Sequence, residues 1–158
     1  MRLEAETLLD HIESFSPEDW AQPNTSFHQE WLHIGIVYQS ATAIYCISSL
    51  QSLGILPITA KLSAMQFSHG ERLFVALKTA VSFPSVRKFM LWPFVVAGVE
   101  AAHHSIYEKD WVEEQLTLLS KDAGSSSPLK AITVLKAFWL KERGSWDDCF
   151  DVPNAFIS

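Results

Sequence analysis

The sequence contains only two cysteines, Cys46 and Cys149, which lie far apart and in no C-x-x-C pair. Disulfide frameworks and structural zinc sites need more cysteines at closer spacing, so neither is predicted. Two isolated thiols also suit a reducing compartment. The scarcity of cysteine therefore excludes the small stapled domains, and we expect a packed core to supply the stability.

Positive charge is also scarce, because 12 lysines and arginines stand against 18 aspartates and glutamates, which gives a formal net charge of −6. A surface of this sign repels the phosphate backbone of DNA and RNA. We therefore predict that this chain does not bind nucleic acid directly.

Long hydrophobic runs are missing as well. The longest are 34–37 and 89–98, and Pro93 interrupts the second. Both are shorter than the roughly 20 residues that a membrane-spanning helix needs. The first ten residues carry acids and lack the apolar segment of a signal peptide. The sequence thus predicts no membrane association and an intracellular location, in the nucleus or the cytoplasm.

Apolar residues nevertheless make up 48% of the chain, and no stretch alternates with the period of two that is typical of a strand. The pattern predicts an all-α fold, a compact bundle of about six to eight helices with one long central helix. We expect a single domain over 1–158, with N-terminal helices in 1–25, core helices in 26–144 and a docked tail in 145–158.

The long central helix is predicted from Phe27 to Leu53, with Gly54 as its stop. Apolar residues fill both of its sides, so it is expected to lie centrally or to pair with a second copy. We therefore expect a homodimer through this helix or through the aromatic tail from Trp146.

Three helix-start or helix-break signals are expected to set the boundaries of the remaining helices. Ser68-His69-Gly70-Glu71 is typical of a helix restart with a capping box. Pro93 is expected to kink or restart an apolar helix, and Pro128 is expected at the first turn of the last long helix.

Aromatic residues on the central helix permit two interpretations. Trp31, Tyr38 and Tyr45 recur at intervals of seven, so they share one side of the helix. Such residues commonly fill helical cores. They also line apolar clefts that bind ligands between helices. Our ligand hypothesis adds Trp92 and Glu100 to these three and places the cleft between the two helices that carry them.

The most informative segment is Leu91-Trp92-Pro93-Phe94 followed by Ala97-Gly98-Val99-Glu100-Ala101. It resembles the signature of the fungal-specific transcription factor domain, the regulatory C-terminal part of zinc-binuclear-cluster regulators. Two weaker features agree with the resemblance, namely Ala43-Ile44-Tyr45 and the run from Val134-Leu135 through Trp139 to Trp146–Phe150. It covers roughly 27–156 and implies a regulatory module that senses an apolar small molecule.

The chain departs from this family in two respects. The DNA-reading module of the family needs six cysteines that bind two zinc ions, whereas this chain has two cysteines. His103, His104 and Tyr107 also occupy the stretch in which the family commonly has an arginine. The resemblance therefore implies either the terminal portion of a regulator that lacks the DNA-binding cluster, or a free-standing relative with a role of its own.

An enzyme on the same scaffold is the alternative. Glu100, His103, His104 and Tyr107 lie near one predicted helix end, where they are candidates for acid–base chemistry on an apolar substrate. No nucleotide-binding or nucleophile motif is present, so no cofactor is predicted.

A metal site is a further alternative. Glu30-x-x-His33 and Glu100-x-x-His103 each place a carboxylate and an imidazole on one helix face. Di-iron carboxylate bundles use two such pairs with two additional glutamates. Glu13 and Glu71 are the candidates for those positions.

Overall fold

The longest helix in the computed structural model, α3 (His28–Ser52), confirms the predicted central helix. The structure describes residues 1–141 and 144–150. Gly54 has a φ of +68°, so the chain leaves α3 through a left-handed residue, as the glycine predicts. Within the described residues there is no strand and no helix long and apolar enough to cross a membrane.

The all-α fold is confirmed, although the described residues form nine α-helices rather than six to eight. Three of the nine have only four or five residues, which a periodicity of 3.6 cannot resolve. The bounds of the remaining eight helices are α1 (Arg2–Ser14), α2 (Pro17–Ala21), α4 (Ala60–Ala80), α5 (Pro84–Arg87), α6 (Leu91–Glu100), α7 (Ile106–Ala123), α8 (Ser127–Trp139) and α9 (Trp146–Cys149).

The chain divides into two compact units, 1–87 and 88–158. In the first unit, α1, α2, α4 and α5 all contact α3, whose side chains from Val37 to Ile47 include several that are fully buried. In the second unit, α6, α7 and α8 contact one another, and α9 contacts α8. The single domain over 1–158 stays a prediction, and the predicted docked tail is described only as far as Phe150.

The predicted restart at Ser68-His69-Gly70-Glu71 is wrong, because α4 continues from Ala60 to Ala80 without interruption. His69 and Gly70 are both buried in the middle of this helix. Burial of these residues against the rest of the unit outweighs the weak helix propensity of glycine. Tertiary packing, rather than the local capping signal, therefore determines the helix boundaries here.

A new helix begins beside Pro93, which confirms the expected restart rather than a kink. Helix α6 begins at Leu91, so Pro93 lies in its first turn. Backbone N–H groups in the first turn have no partner within the helix, and a proline there removes no hydrogen bond. Pro128 occupies the first turn of α8 in the same way, as predicted.

Candidate functional site

A single amide side chain from α3 closes the C-terminal end of α1. The Gln39 Nε2 group donates one hydrogen bond to the carbonyl oxygen of Ile12 at 2.8 Å and another to that of Phe15 at 2.9 Å. The last carbonyls of a helix have no partner within the helix, so another group must satisfy them. Gln39 does so from a position that is 8% exposed.

The same side chain also joins α3 to α4. The Arg72 Nη1 group donates a hydrogen bond to Gln39 Oε1 at 2.8 Å. The Gln39 amide therefore uses both N–H donors and its carbonyl oxygen at once, each toward a different group. We call this arrangement, formed by the Gln39 amide, the carbonyls of Ile12 and Phe15 and the Arg72 guanidinium, the Gln39 junction.

A second polar contact joins α1 directly to α4. The Nε2 atom of His69 lies 2.5 Å from Glu13 Oε1. The imidazole is buried, whereas the carboxylate remains partly exposed. Hydrogen bonds that involve a charged group are stronger than neutral ones. Helices α1 and α4 are thus held together both directly and through the Gln39 junction.

A cleft of about 320 Å³ opens beside the Gln39 junction, between α1 and α3. It is lined by His11, Ile12, Phe15, Tyr38, Gln39 and Thr42, and we call it the Tyr38 cleft. The cleft is shallow and open to solvent, its lining is mostly apolar, and its volume lies at the lower end of the range for small-molecule sites. Burial raises the pKa of the Tyr38 phenol, which favours the protonated hydroxyl.

The other residues of the ligand hypothesis lie elsewhere. Trp31 packs edge-on against Trp20 of α2, with ring centroids 5.1 Å apart. Tyr45 lies further along α3 and is 38% exposed. Trp92 and Glu100 belong to the second unit, where Trp92 is partly buried and Glu100 is 4% exposed. Tyr38 is the only member of the predicted set that lines the Tyr38 cleft.

The four residues of the acid–base hypothesis are placed in different surroundings. Glu100 and His104 are close, with Oε1 and Nε2 at 3.8 Å and both side chains largely buried. Tyr107 is 79% exposed, and His103 is exposed as well. The carboxylate is therefore buried with one histidine, while the other two groups face solvent.

The six predicted metal ligands do not form a centre. Glu13 contacts His69, which was not among them. His33 stacks on Phe83, with ring centroids 5.6 Å apart. Across 1–141 and 144–150, no three His, Cys, Asp or Glu side chains are grouped so that they could hold a metal ion.

The sequence pattern indicated Tyr38 but missed the residues around it. His11, Phe15 and Thr42 carry no motif, because α1 and α3 meet only through tertiary packing. Gln39 did leave a signal. It is an amide within the apolar stretch 34–47 of a central helix, and a buried amide needs polar partners.

Another groove lies on the far part of α1, with a volume of about 410 Å³. Leu9 and Leu56 are among its buried apolar residues. Arg2, Glu6 and Lys61 add charges of both signs to its lining. The Tyr38 cleft has no lysine, arginine, aspartate or glutamate in its lining, so the two concavities favour ligands of different character.

Comparison with known proteins gives one family and one relative. The family model for the fungal specific transcription factor domain matches residues 2–155. A phomenoic acid biosynthesis cluster-specific transcriptional regulator of Leptosphaeria maculans is 44% identical over 153 residues. The match covers 97% of this chain but 29% of the relative, so the chain spans less than a third of that protein's length. No solved structure matches. Both matches confirm the resemblance carried by the segment around Trp92-Pro93.

Proposed function

The chain belongs to the fungal specific transcription factor domain family, and we propose that it is the ligand-sensing part of a regulator of a biosynthetic gene cluster. The family and the relative both support a regulatory role in transcription. Because the chain spans only 29% of that relative, the control of a gene cluster and action in the nucleus belong to the proposal.

The observation that carries the ligand part of the proposal is the position of Tyr38. A tyrosine on the predicted aromatic face of α3 lines a mostly apolar cleft of about 320 Å³. Ligand sites are typically concave and apolar, with a few polar groups that fix orientation. The Tyr38 cleft has this character, with the hydroxyls of Tyr38 and Thr42 and the imidazole of His11 as its polar groups.

The lining also indicates the class of ligand. Both Gln39 N–H donors are already engaged with backbone carbonyls, so the amide has none to offer. The described residues of the lining include no lysine, arginine, aspartate or glutamate, and His11 is the one basic side chain among them, so a cationic or polyanionic ligand would lose water without gaining matching counter-charges. We therefore propose an uncharged, largely apolar small molecule with one hydroxyl or carbonyl group.

Binding of the uncharged fluorophore N-phenyl-1-naphthylamine to the purified chain tests this proposal. Thr42→Trp places a large ring in the cleft and should weaken binding at least about tenfold, or roughly 1.4 kcal/mol. The matched control is Thr133→Trp on the exposed surface of α8, which should bind the fluorophore as the wild type does. Equal affinity of all three proteins, or no binding by the wild type, would contradict the proposed cleft.

Self-association belongs to the proposal as well. A homodimer through 27–53 or the tail from Trp146 would double the chain mass of 17.8 kDa. In the first unit α3 is contacted by α1, α2, α4 and α5, which cover part of the surface that it would need for pairing. Light scattering at micromolar concentration distinguishes the two masses.

A further inference from the structure

We propose that occupancy of the Tyr38 cleft is coupled to helix α4 through the Gln39 junction. This inference rests on the proposed function, because it assumes that the cleft binds a small molecule. It adds that Arg72, which does not line the cleft, controls how well the cleft binds. Gln39 and Arg72 are then positioning residues for the ligand.

The argument begins with the wall of the cleft. Ile12 and Phe15 supply the α1 side of the cleft, and their backbone carbonyls are the two acceptors that Gln39 holds. Gln39 is itself a lining residue. The hydrogen bonds of one side chain therefore fix both sides of the cleft relative to each other.

Arg72 fixes the orientation of that side chain. The guanidinium hydrogen bond to Gln39 Oε1, at 2.8 Å, leaves the amide with only one orientation in which Nε2 points toward α1. If this donor is removed, the largely buried oxygen loses its fixed partner, so nothing on the α4 side selects the orientation in which Nε2 faces the two carbonyls. The end of α1 then keeps its backbone hydrogen bond from Phe15 to Ile12 but loses the two side-chain hydrogen bonds that fix this wall of the cleft.

The Glu13–His69 contact makes this coupling testable. It joins α1 to α4 without involving Gln39, so a variant at Arg72 retains one polar contact between the two helices. The expected effect of Arg72 substitution is therefore a loosened cleft in a folded protein. By thermodynamic reciprocity, a ligand that needs the fixed wall also stabilises the Arg72 contact.

The experiment measures binding of N-phenyl-1-naphthylamine and hydrogen exchange of the full chain. Arg72→Met should weaken binding about fivefold or more, within the usual range for coupled sites. It should also speed amide exchange at 11–15. The matched control, Lys78→Met, removes a cation from the exposed last turn of the same helix, outside the junction, and should change neither quantity.

Two further variants separate positioning from general stability. Arg72→Lys restores a cationic donor and should recover part of the affinity. Gln39→Glu keeps the acceptor for Arg72 but places a carboxylate oxygen against the two carbonyls of α1, so it should abolish the protection of 11–15. In the wild type, saturating fluorophore should slow exchange around Arg72, and in Gln39→Glu it should not. Arg72→Gln replaces Arg72→Met if that protein does not fold.

The outcomes distinguish this inference from the proposed function. If Thr42→Trp weakens binding but Arg72→Met and Gln39→Glu do not, the cleft is real and the coupling is wrong. If Arg72→Met and Lys78→Met weaken binding equally, the effect is one of charge and the coupling is again wrong. If the wild type itself does not bind, the proposed cleft fails first.

Discussion

Two polar residues on α3 differ in how far their hydrogen-bonding groups are satisfied. Gln39 satisfies its donors and its acceptor through three hydrogen bonds. His33 instead stacks on Phe83, and its Nδ1 atom is buried without a hydrogen-bond partner among the described residues. A buried polar group without a partner costs stability, whereas a satisfied network specifies the packing. The two residues thus predict opposite responses to substitution.

His33 is expected to make the protein less stable in mild acid. Burial lowers the pKa of His33, and this effect exceeds the opposing one of the Glu30 carboxylate. The unfolded state therefore binds a proton at a higher pH than the folded state does. The contribution of neutral His33 to the free energy of unfolding is fully present above the ordinary pKa of 6.5, and it falls as the pH drops below that value. His33→Phe should preserve the stacking and reduce this loss.

Urea unfolding at pH 7.5 and pH 5.5 measures the effect. The difference in the free energy of unfolding between the two pH values should be smaller in His33→Phe than in the wild type. His103→Phe, at an exposed position, is the matched control and should leave the difference unchanged. An equal difference in His33→Phe and the wild type would show that His33 titrates alike in both states.

At the scale of elements, α6 and α8 approach each other at a glycine. A Cβ atom added to Gly98 would lie 2.8 Å from the Cδ2 atom of Leu135, closer than real Cβ atoms come to their neighbours. The Trp139 Nε1 group also donates a hydrogen bond to the Gly98 carbonyl at 2.7 Å. The two helices therefore approach closely at this glycine, and α8 supplies both contacts.

Gly98→Ala is expected to destabilise the protein by about 1–3 kcal/mol, because the added methyl group overfills a packed contact. Urea unfolding measures the change. Leu135→Ala creates space at the same contact, so the double variant should lose less than the sum of the single losses. Costs that add to within about 0.5 kcal/mol would contradict a direct clash between the two positions.

The helices differ in how far the sequence predicts them. Ser16, which directly precedes Pro17 at the start of α2, caps that helix, since its hydroxyl accepts a hydrogen bond from the Asp19 N–H at 3.1 Å. Such caps depend on neighbours in sequence and can be predicted. The same kind of signal at Ser68–Glu71 failed because burial of His69 decides the local structure there. The sequence predicts the α3 side of the Tyr38 cleft through Tyr38. It does not predict the α1 side, because that side depends on tertiary packing.

At the scale of the molecule, the net charge and the family membership bear on whether this chain binds DNA. Membership of a transcription factor family suggests contact with DNA, whereas the net charge of −6 opposes it. Acidic residues cluster on α7, where Asp110, Glu113 and Glu114 border a shallow groove, and Lys136 pairs with Glu113 at 2.6 Å. Electrostatic attraction to phosphates supplies most of non-specific DNA affinity. The net charge of this chain is negative, like that of the phosphates, so this attraction is not available to it.

We therefore expect no sequence-specific DNA binding by the purified chain at about 0.15 M salt. Fluorescence anisotropy with labelled promoter duplexes would measure binding, and unlabelled matched or scrambled duplexes of the same composition would compete. The variant Asp110→Lys/Glu114→Lys is the positive control. It reverses two charges on α7 and should gain weak binding that does not distinguish sequences and disappears at high salt, as expected of phosphate contacts. Binding by the wild type that only the matched duplex displaces would overturn the prediction. It would mean that this acidic chain reads bases despite its charge.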